Sequence, residues 1–191
     1  MAQQKTSREA ILITALQVFR RQGYFNTSIA DLGEACGLRK AHFYYYFPGG
    51  KEELMREVLA AMLDYTRDRV FALAGAPGPA DPRQRLEQMV HKLGRIFMGR
   101  PGGCIMANTV VETAGLEPEL SFMPLLRQYF DEMTAAFVRI YAARWPEAEA
   151  RLRAGQAVRG IQGGILLMEL YDDESHLTQA LRQVMEAWGD L

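Results

Sequence analysis

The sequence predicts an all-α protein of about nine helices, three short ones first and a larger bundle of long ones after them. Three observations carry this expectation. Apolar residues recur at helical spacing along most of the 191 residues, and strand-like alternation is nowhere sustained. Gly23, Gly37 and Pro48-Gly49-Gly50 cut the first 50 residues into three short helical stretches. The clearest break, "AGAPGPADP" at 74–82, holds three prolines and two glycines, the composition of a loop.

The elements follow in order. Ser7 suits an N-cap, and Leu12, Ala15, Leu16 and Phe19 then repeat at helical spacing until Gly23 stops the helix. "NTSIADLGEACG" opens a second helix with Thr27 or Ser28 as cap, and Ser28 with Asp31 approaches a capping box. Ile29, Leu32 and Cys36 line its inner side, and it lasts barely two turns before Gly37. A third short helix covers about 39–47 and ends at Pro48-Gly49-Gly50. The fourth starts at Lys51 with an apolar stripe of Leu54, Val58, Met62 and Tyr65. Beyond the break, helices are expected over about 82–99, 103–114, 118–145, 147–171 and 175–189. Domains are therefore expected at 1–50 and 51–191.

Composition narrows the class. Hydrophobic content of 49% with 24% charged residues is ordinary for a globular protein, and the apolar runs are too short to span a bilayer. "MAQQKTSREA" has no apolar core of a secretory signal, so a cytoplasmic location and no membrane partner are expected. Cys36 and Cys104 have neither metal-site nor disulfide spacing, and His42, His91 and His176 lie in separate segments. Glu87 and His91 share a helix face, a pattern that suits a solvated surface better than a metal site. No nucleophile–base pair, phosphate loop or ligand array is visible, so neither an enzyme nor a cofactor is expected. Net charge is −1, but residues 1–47 carry six Lys/Arg against three acids, which points any polyanion toward the N-terminal end.

Within that end, "GLRKAHFYYYFPGGK" (37–51) is unusual. Successive helical residues point about 100° apart, so Tyr44, Tyr45 and Tyr46 cannot all enter one core. Two short helices joined by a Gly-containing turn suit a helix-turn-helix whose second helix presents Arg39, Lys40, Ala41, His42, Tyr44 and Tyr45 outward. Arg39 or Lys40 could donate to guanine, Ala41 permits close approach, and tyrosine hydroxyls could donate to phosphate. Amides and hydroxyls at the start of the second helix, and Lys51, are placed for phosphate as well. The same pattern also suits a plain three-helix packing unit with a solvated charged face.

The stretch "GYFNTSIADLGEACGLRKAHFYYYFPGGKEEL" resembles the DNA-binding domain of the TetR/AcrR family of bacterial transcriptional regulators. The shared pattern falls on Gly23, Thr27, Asp31, Leu32, Ala35, Gly37, Leu38, Phe43, Tyr44, Tyr46, Phe47, Lys51, Glu52 and Leu54. Two departures occur: Phe47-Pro-Gly-Gly-Lys51 is one residue longer than usual, as in a subset with "FPxGKE", and Tyr46 stands where His is common. The resemblance implies a ligand-responsive repressor, a homodimer on double-stranded operator DNA that an unknown small-molecule effector releases. It implies that Thr27 and Ser28 cap the second helix and lean on a phosphate, and that Arg39, Lys40, Ala41 and His42 line the groove-facing side. It further implies that Tyr44 and Tyr46 reach the sugar-phosphate backbone, that Phe43 and Phe47 are core, and that Lys51 starts the fourth helix beside a phosphate. Tyr45 is left between touching DNA and packing on the fourth helix.

The C-terminal part has no comparable signature. By resemblance it binds the effector and dimerises. Cys104, Asn108, Val111 and Glu112 fall near one side of the sixth helix, and the seventh adds Phe122, Met123, Phe130, Phe137 and Tyr141. Together they suit either an apolar cavity with one or two polar groups or a packed core with polar residues outward. For dimerisation, Val158, Ile161, Ile165, Leu177, Leu181, Val184 and Trp188 form apolar stripes, and Gly155, Gly160, Gly163 and Gly164 suit a close helix pair; internal packing is the alternative. Cys104 follows two glycines, so an alternative regulator senses oxidants or electrophiles through its thiol; an inert buried thiol is the plainer reading.

Overall fold

The computed structural model describes residues 7–75, 81–99, 101–114 and 120–189, all of them in helices, turns or loops. Residues 76–80 of the expected 74–82 loop, Arg100 of "RPGG", and the expected start of the seventh helix at 118–119 lie outside the described residues. The helices are α1 Arg8–Gln22, α2 Ile29–Cys36, α3 Lys40–Tyr46, α4 Gly50–Arg69, α5 Pro82–Phe97, α6 Ile105–Thr113, α7 Met123–Tyr141, α8 Glu147–Tyr171 and α9 Ser175–Glu186. A 3-10 turn, Phe71–Gly75, follows α4. No described helix is long and apolar enough to cross a membrane.

The chain separates into two compact units, and their boundaries differ from the expected 1–50 and 51–191. The first unit comprises residues 1–62 and 105–126; the second comprises 63–104 and 127–191. The expected boundary sat at a Pro-Gly turn, but α4 runs on past it and is divided in mid-helix. Sequence punctuation marks the ends of helices, whereas units are set by which faces pack.

In the first unit, Ser7 caps α1 by accepting from the Ala10 N–H at 3.1 Å. The buried face is Ile11, Ala15, Val18 and Phe19, one step round from the expected stripe, with Leu12 and Leu16 only half-buried. Ser28 and Asp31 complete the capping box of α2. Gly37 then takes the left-handed conformation, φ 65°, and the Leu38 N–H donates to the Gly33 carbonyl at 2.7 Å. A side chain at Gly33 would meet the Leu38 carbonyl at 2.8 Å, so this tight turn needs glycine at both places. Leu54, Met55, Val58 and Leu59 of α4 fill the core, while Met62 is half-buried and Tyr65 of the expected stripe is exposed.

In the second unit, the face of α7 formed by Tyr129, Met133, Ala136, Phe137, Ile140 and Tyr141 is buried. Tyr141 stacks between Phe137 and Trp188, with Trp145 edge-on, in one aromatic cluster. The helices α8 and α9 pack along Ile161, Gly164, Ile165 and Met168 against Leu177, Ala180, Leu181 and Val184. Gly164 permits this approach: a Cβ there would lie 2.7 Å from that of Ala180.

Candidate nucleic-acid interface

The recognition surface is built from the inside out. Phe43 and Phe47 are fully buried beneath α3, their ring centroids 5.6 Å apart. Arg8 crosses above Phe47, donates to the Tyr46 carbonyl at 2.8 Å and pairs with Glu57, so the C-terminal end of α3 is fastened to the unit. With those rings turned inward, Arg39, Lys40, Ala41, His42, Tyr44 and Tyr45 face outward. Arg39, Lys40 and His42 make no hydrogen bond or ion pair among the described residues. Cations so placed keep their full charge available to an incoming polyanion. Tyr45 is solvent-exposed and its ring meets only that of Tyr46 among the aromatic contacts, so packing on α4 is not its role. Tyr46 is half-buried.

At the start of α2, the Ser28 hydroxyl accepts from the Asp31 N–H at 3.1 Å and donates to its carboxylate at 2.7 Å. The Ser28 side-chain and backbone hydrogen bonds hold the Asp31 carboxyl below its ordinary pKa. Ser28 remains exposed, but Thr27 does not. Thr27 is buried, with its hydroxyl donated to the Gly23 carbonyl at 2.6 Å. The cap is therefore Ser28, and Thr27 fixes the α1–α2 loop instead of facing a phosphate.

Lys51 also has different work from that expected. Its ammonium donates to the Tyr24 carbonyl at 2.8 Å and lies 4.4 Å from the centre of the Tyr24 ring. Lys51 thus lies on the loop after α1, where it is a tether. That loop is held from a second direction. Glu112 of α6 accepts from the Tyr24 and Phe25 N–H groups, both at 2.7 Å. Gly23, at φ 78°, leaves room for it, because a Cβ there would sit 2.7 Å from a Glu112 oxygen. Glu52 accepts from the Ser121 N–H at 2.8 Å, which lowers its pKa, and the Phe122 ring meets Tyr24 edge-on. Tyr24 and Phe25 were not foreseen; the only sequence signal for them was an aromatic pair after Gly23.

The expected ligand-pocket residues divide between the two units. Asn108 is exposed, Val111 is 79% exposed, and Glu112 clasps the α1–α2 loop, all in the first unit. Phe137 and Tyr141 are fully buried in the aromatic cluster of the second unit, and Phe130 is half-buried beside Tyr129. These rings therefore fill space; two hollows of the second unit have other linings. Burial pushes the Tyr141 phenol up to about 12. Cys104 is 3% exposed and lies against Tyr129, whose phenol is pushed well above its ordinary value by burial and, secondarily, by that thiol. Burial removes the access that oxidant sensing needs.

The expected dimer seam is likewise occupied within the chain. Ile161, Ile165, Leu177, Leu181, Val184 and Trp188 are buried in the single chain, and Val158 is half-buried. The apolar residues of α8 left exposed are Leu152, Leu166, Leu167, Leu170 and Tyr171. Gly160 and Gly163 on the same helix face open space. Periodicity alone does not say which apolar side of a helix its neighbour will cover.

Comparison with known proteins agrees with this architecture. The family model "Bacterial regulatory proteins, tetR family" matches residues 11–58. HTH-type transcriptional regulator LmrA of Bacillus subtilis is 30% identical over 172 residues, spanning 84% of this chain and 85% of that protein. A TetR transcriptional regulator from Legionella pneumophila superposes with a TM-score of 0.84 at 19% identity, covering 98% of this chain and 99% of the other. The regulator CifR, in a cysteine-substituted form complexed with 26-base-pair double-strand operator DNA, superposes with a TM-score of 0.77 at 24% identity, covering 97% and 99%.

Proposed function

We propose, for a chain that belongs to the tetR family of bacterial regulatory proteins, that it acts as a homodimeric repressor released from operator DNA by a small molecule. Family membership makes it a DNA-binding transcriptional regulator rather than an enzyme. The observation that carries the operator half is the outer face of α3. Two cations without partners among the described residues, a histidine and two exposed tyrosines stand on a helix and its N-cap whose only buried side chain is Phe43. Such a helix fits the major groove with its N-terminal residues at base edges. Arg39 and Lys40 read bases, Ala41 and His42 lie along the groove, and Tyr44, Tyr45, Tyr46 and Ser28 meet phosphates. The structure of CifR with its operator supports this use of the fold.

Two copies join through the exposed side of α8, where Leu152, Leu166 and Leu170 share a face with Gly163. Gly163 lets a second backbone approach. The two α3 helices would then meet half-sites about 34–36 Å apart. An effector acts by binding one conformation better than the other, and can shift the equilibrium only by that difference.

The test is footprinting of the purified protein on genomic fragments flanking its own coding sequence. Protection of paired half-sites about one helical turn apart is expected, lost when Leu166 and Leu170 are both replaced by Glu. Equal, salt-insensitive binding to every fragment would refute the operator reading.

A further inference from the structure

At the corner where α4 ends and α5 passes, the second unit has a hollow of about 410 Å³ lined by Tyr65, Arg69, Val70, Lys92, Arg95 and Ile96. This volume lies within the range of small-molecule sites. Its chemistry is one-sided: among the described residues three cations line it and no carboxylate does. Val70 and Ile96 are buried and give it an apolar floor, while Tyr65 offers an exposed ring and hydroxyl at its edge.

The three cations do not do the same job. The Lys92 ammonium donates to the Arg69 carbonyl at 2.9 Å, at the last residue of α4. It therefore offsets the negative end of that helix, which would otherwise repel an anion. Arg69 and Arg95 remain. Neither guanidinium makes a hydrogen bond, ion pair or ring contact among the described residues. By contrast, Arg67, two residues before Arg69, is paired with both Asp64 and Glu132. Two unpaired guanidiniums beside an apolar floor form a fork-shaped donor set that suits a carboxylate or phosphate.

We propose that this hollow binds a small organic anion, its phosphate or carboxylate held by Arg69 and Arg95 and its apolar body on Val70, Ile96 and the Tyr65 ring. The assignment names a ligand class for the effector reading above and rests on it only for the consequence at DNA. Binding itself is a property of the chain alone. Lys92 is the positioning residue, since it acts by neutralising the helix end.

The test uses the full chain without DNA and phenyl phosphate as probe, with phenol and inorganic phosphate beside it. Phenyl phosphate at a hundredfold its Kd is expected to raise the Tm by roughly 5–10 °C, phenol not at all and inorganic phosphate less. Arg69→Gln with Arg95→Gln, folded by circular dichroism, should weaken binding at least tenfold by calorimetry. No shift with phenyl phosphate, an undiminished shift in the double variant, or an equal shift from inorganic phosphate would overturn the assignment. So would a double variant that loses affinity for random-sequence duplex as strongly as for phenyl phosphate, because the cations would then serve nucleic acid. Release from operator is read separately; its absence with binding intact would count against the effector reading and leave the site standing.

Discussion

Tyr44 and Tyr45 on α3 are 41% and 80% exposed, whereas Tyr129 and Tyr141 on α7 are 2% and 0% exposed. The same side chain serves opposite ends in the two units. On α7 the rings are the core, buried enough that the Tyr141 phenol rises to about 12. On α3 the core work belongs to Phe43 and Phe47, and the tyrosines are left to solvent. Exposed rings beside cations without partners among the described residues suit the proposed contact with DNA. The tyrosines of α7 serve stability, and α3 displays two of its own.

That contrast can be broken or sharpened by substitution. The largest effect is expected from Phe137→Ala, which opens a cavity inside the α7 cluster and costs about 3–5 kcal/mol, read as a fall in denaturant midpoint. Next comes Glu112→Ala in the first unit, which leaves the Tyr24 and Phe25 N–H groups without their acceptor and costs about 1–3 kcal/mol. Tyr45→Ala should leave the midpoint unchanged within about 0.5 kcal/mol, as for a surface side chain. Duplex affinity should nonetheless fall several-fold. A Tyr45→Ala protein that loses stability as Phe137→Ala does would erase the contrast.

A further effect concerns acid. Asp31 has a folded pKa below its unfolded one, so its contribution is present above the ordinary carboxylate range. It is lost as pH falls through the lowered value. Ser28→Ala removes the hydrogen bonds that cause the shift, so its midpoint should decline less steeply than wild type below about pH 4, after a loss of about 1 kcal/mol at neutral pH.

The first unit was the more legible in sequence because its signals are local. A Ser28–Asp31 cap, Gly37 at a left-handed turn and the Pro-Gly stop after Phe47 each act within a few residues. What the sequence concealed were contacts between distant segments. Lys51 looked like a phosphate ligand because it opens a helix, yet it tethers the loop 27 residues before it. Glu112 looked like a pocket group because it lies on an apolar helix, yet it clasps a loop 88 residues away. In the second unit the apolar stripe of Val158, Ile161 and Ile165 looked like a dimer seam. Only the position of α9 shows that Ile161 and Ile165 are core while Leu166 and Leu170 are surface.

The central claim is that the α3 face reads DNA. Its most direct test is fluorescence anisotropy on the footprinted operator and a scrambled duplex, over a range of salt, for wild type and Arg39→Ala with Lys40→Ala. The account predicts that the double variant binds the operator about 100-fold or more weakly, with a shallower salt dependence, an unchanged denaturant midpoint and no remaining preference over the scrambled duplex. A double variant that keeps both affinity and preference would contradict it.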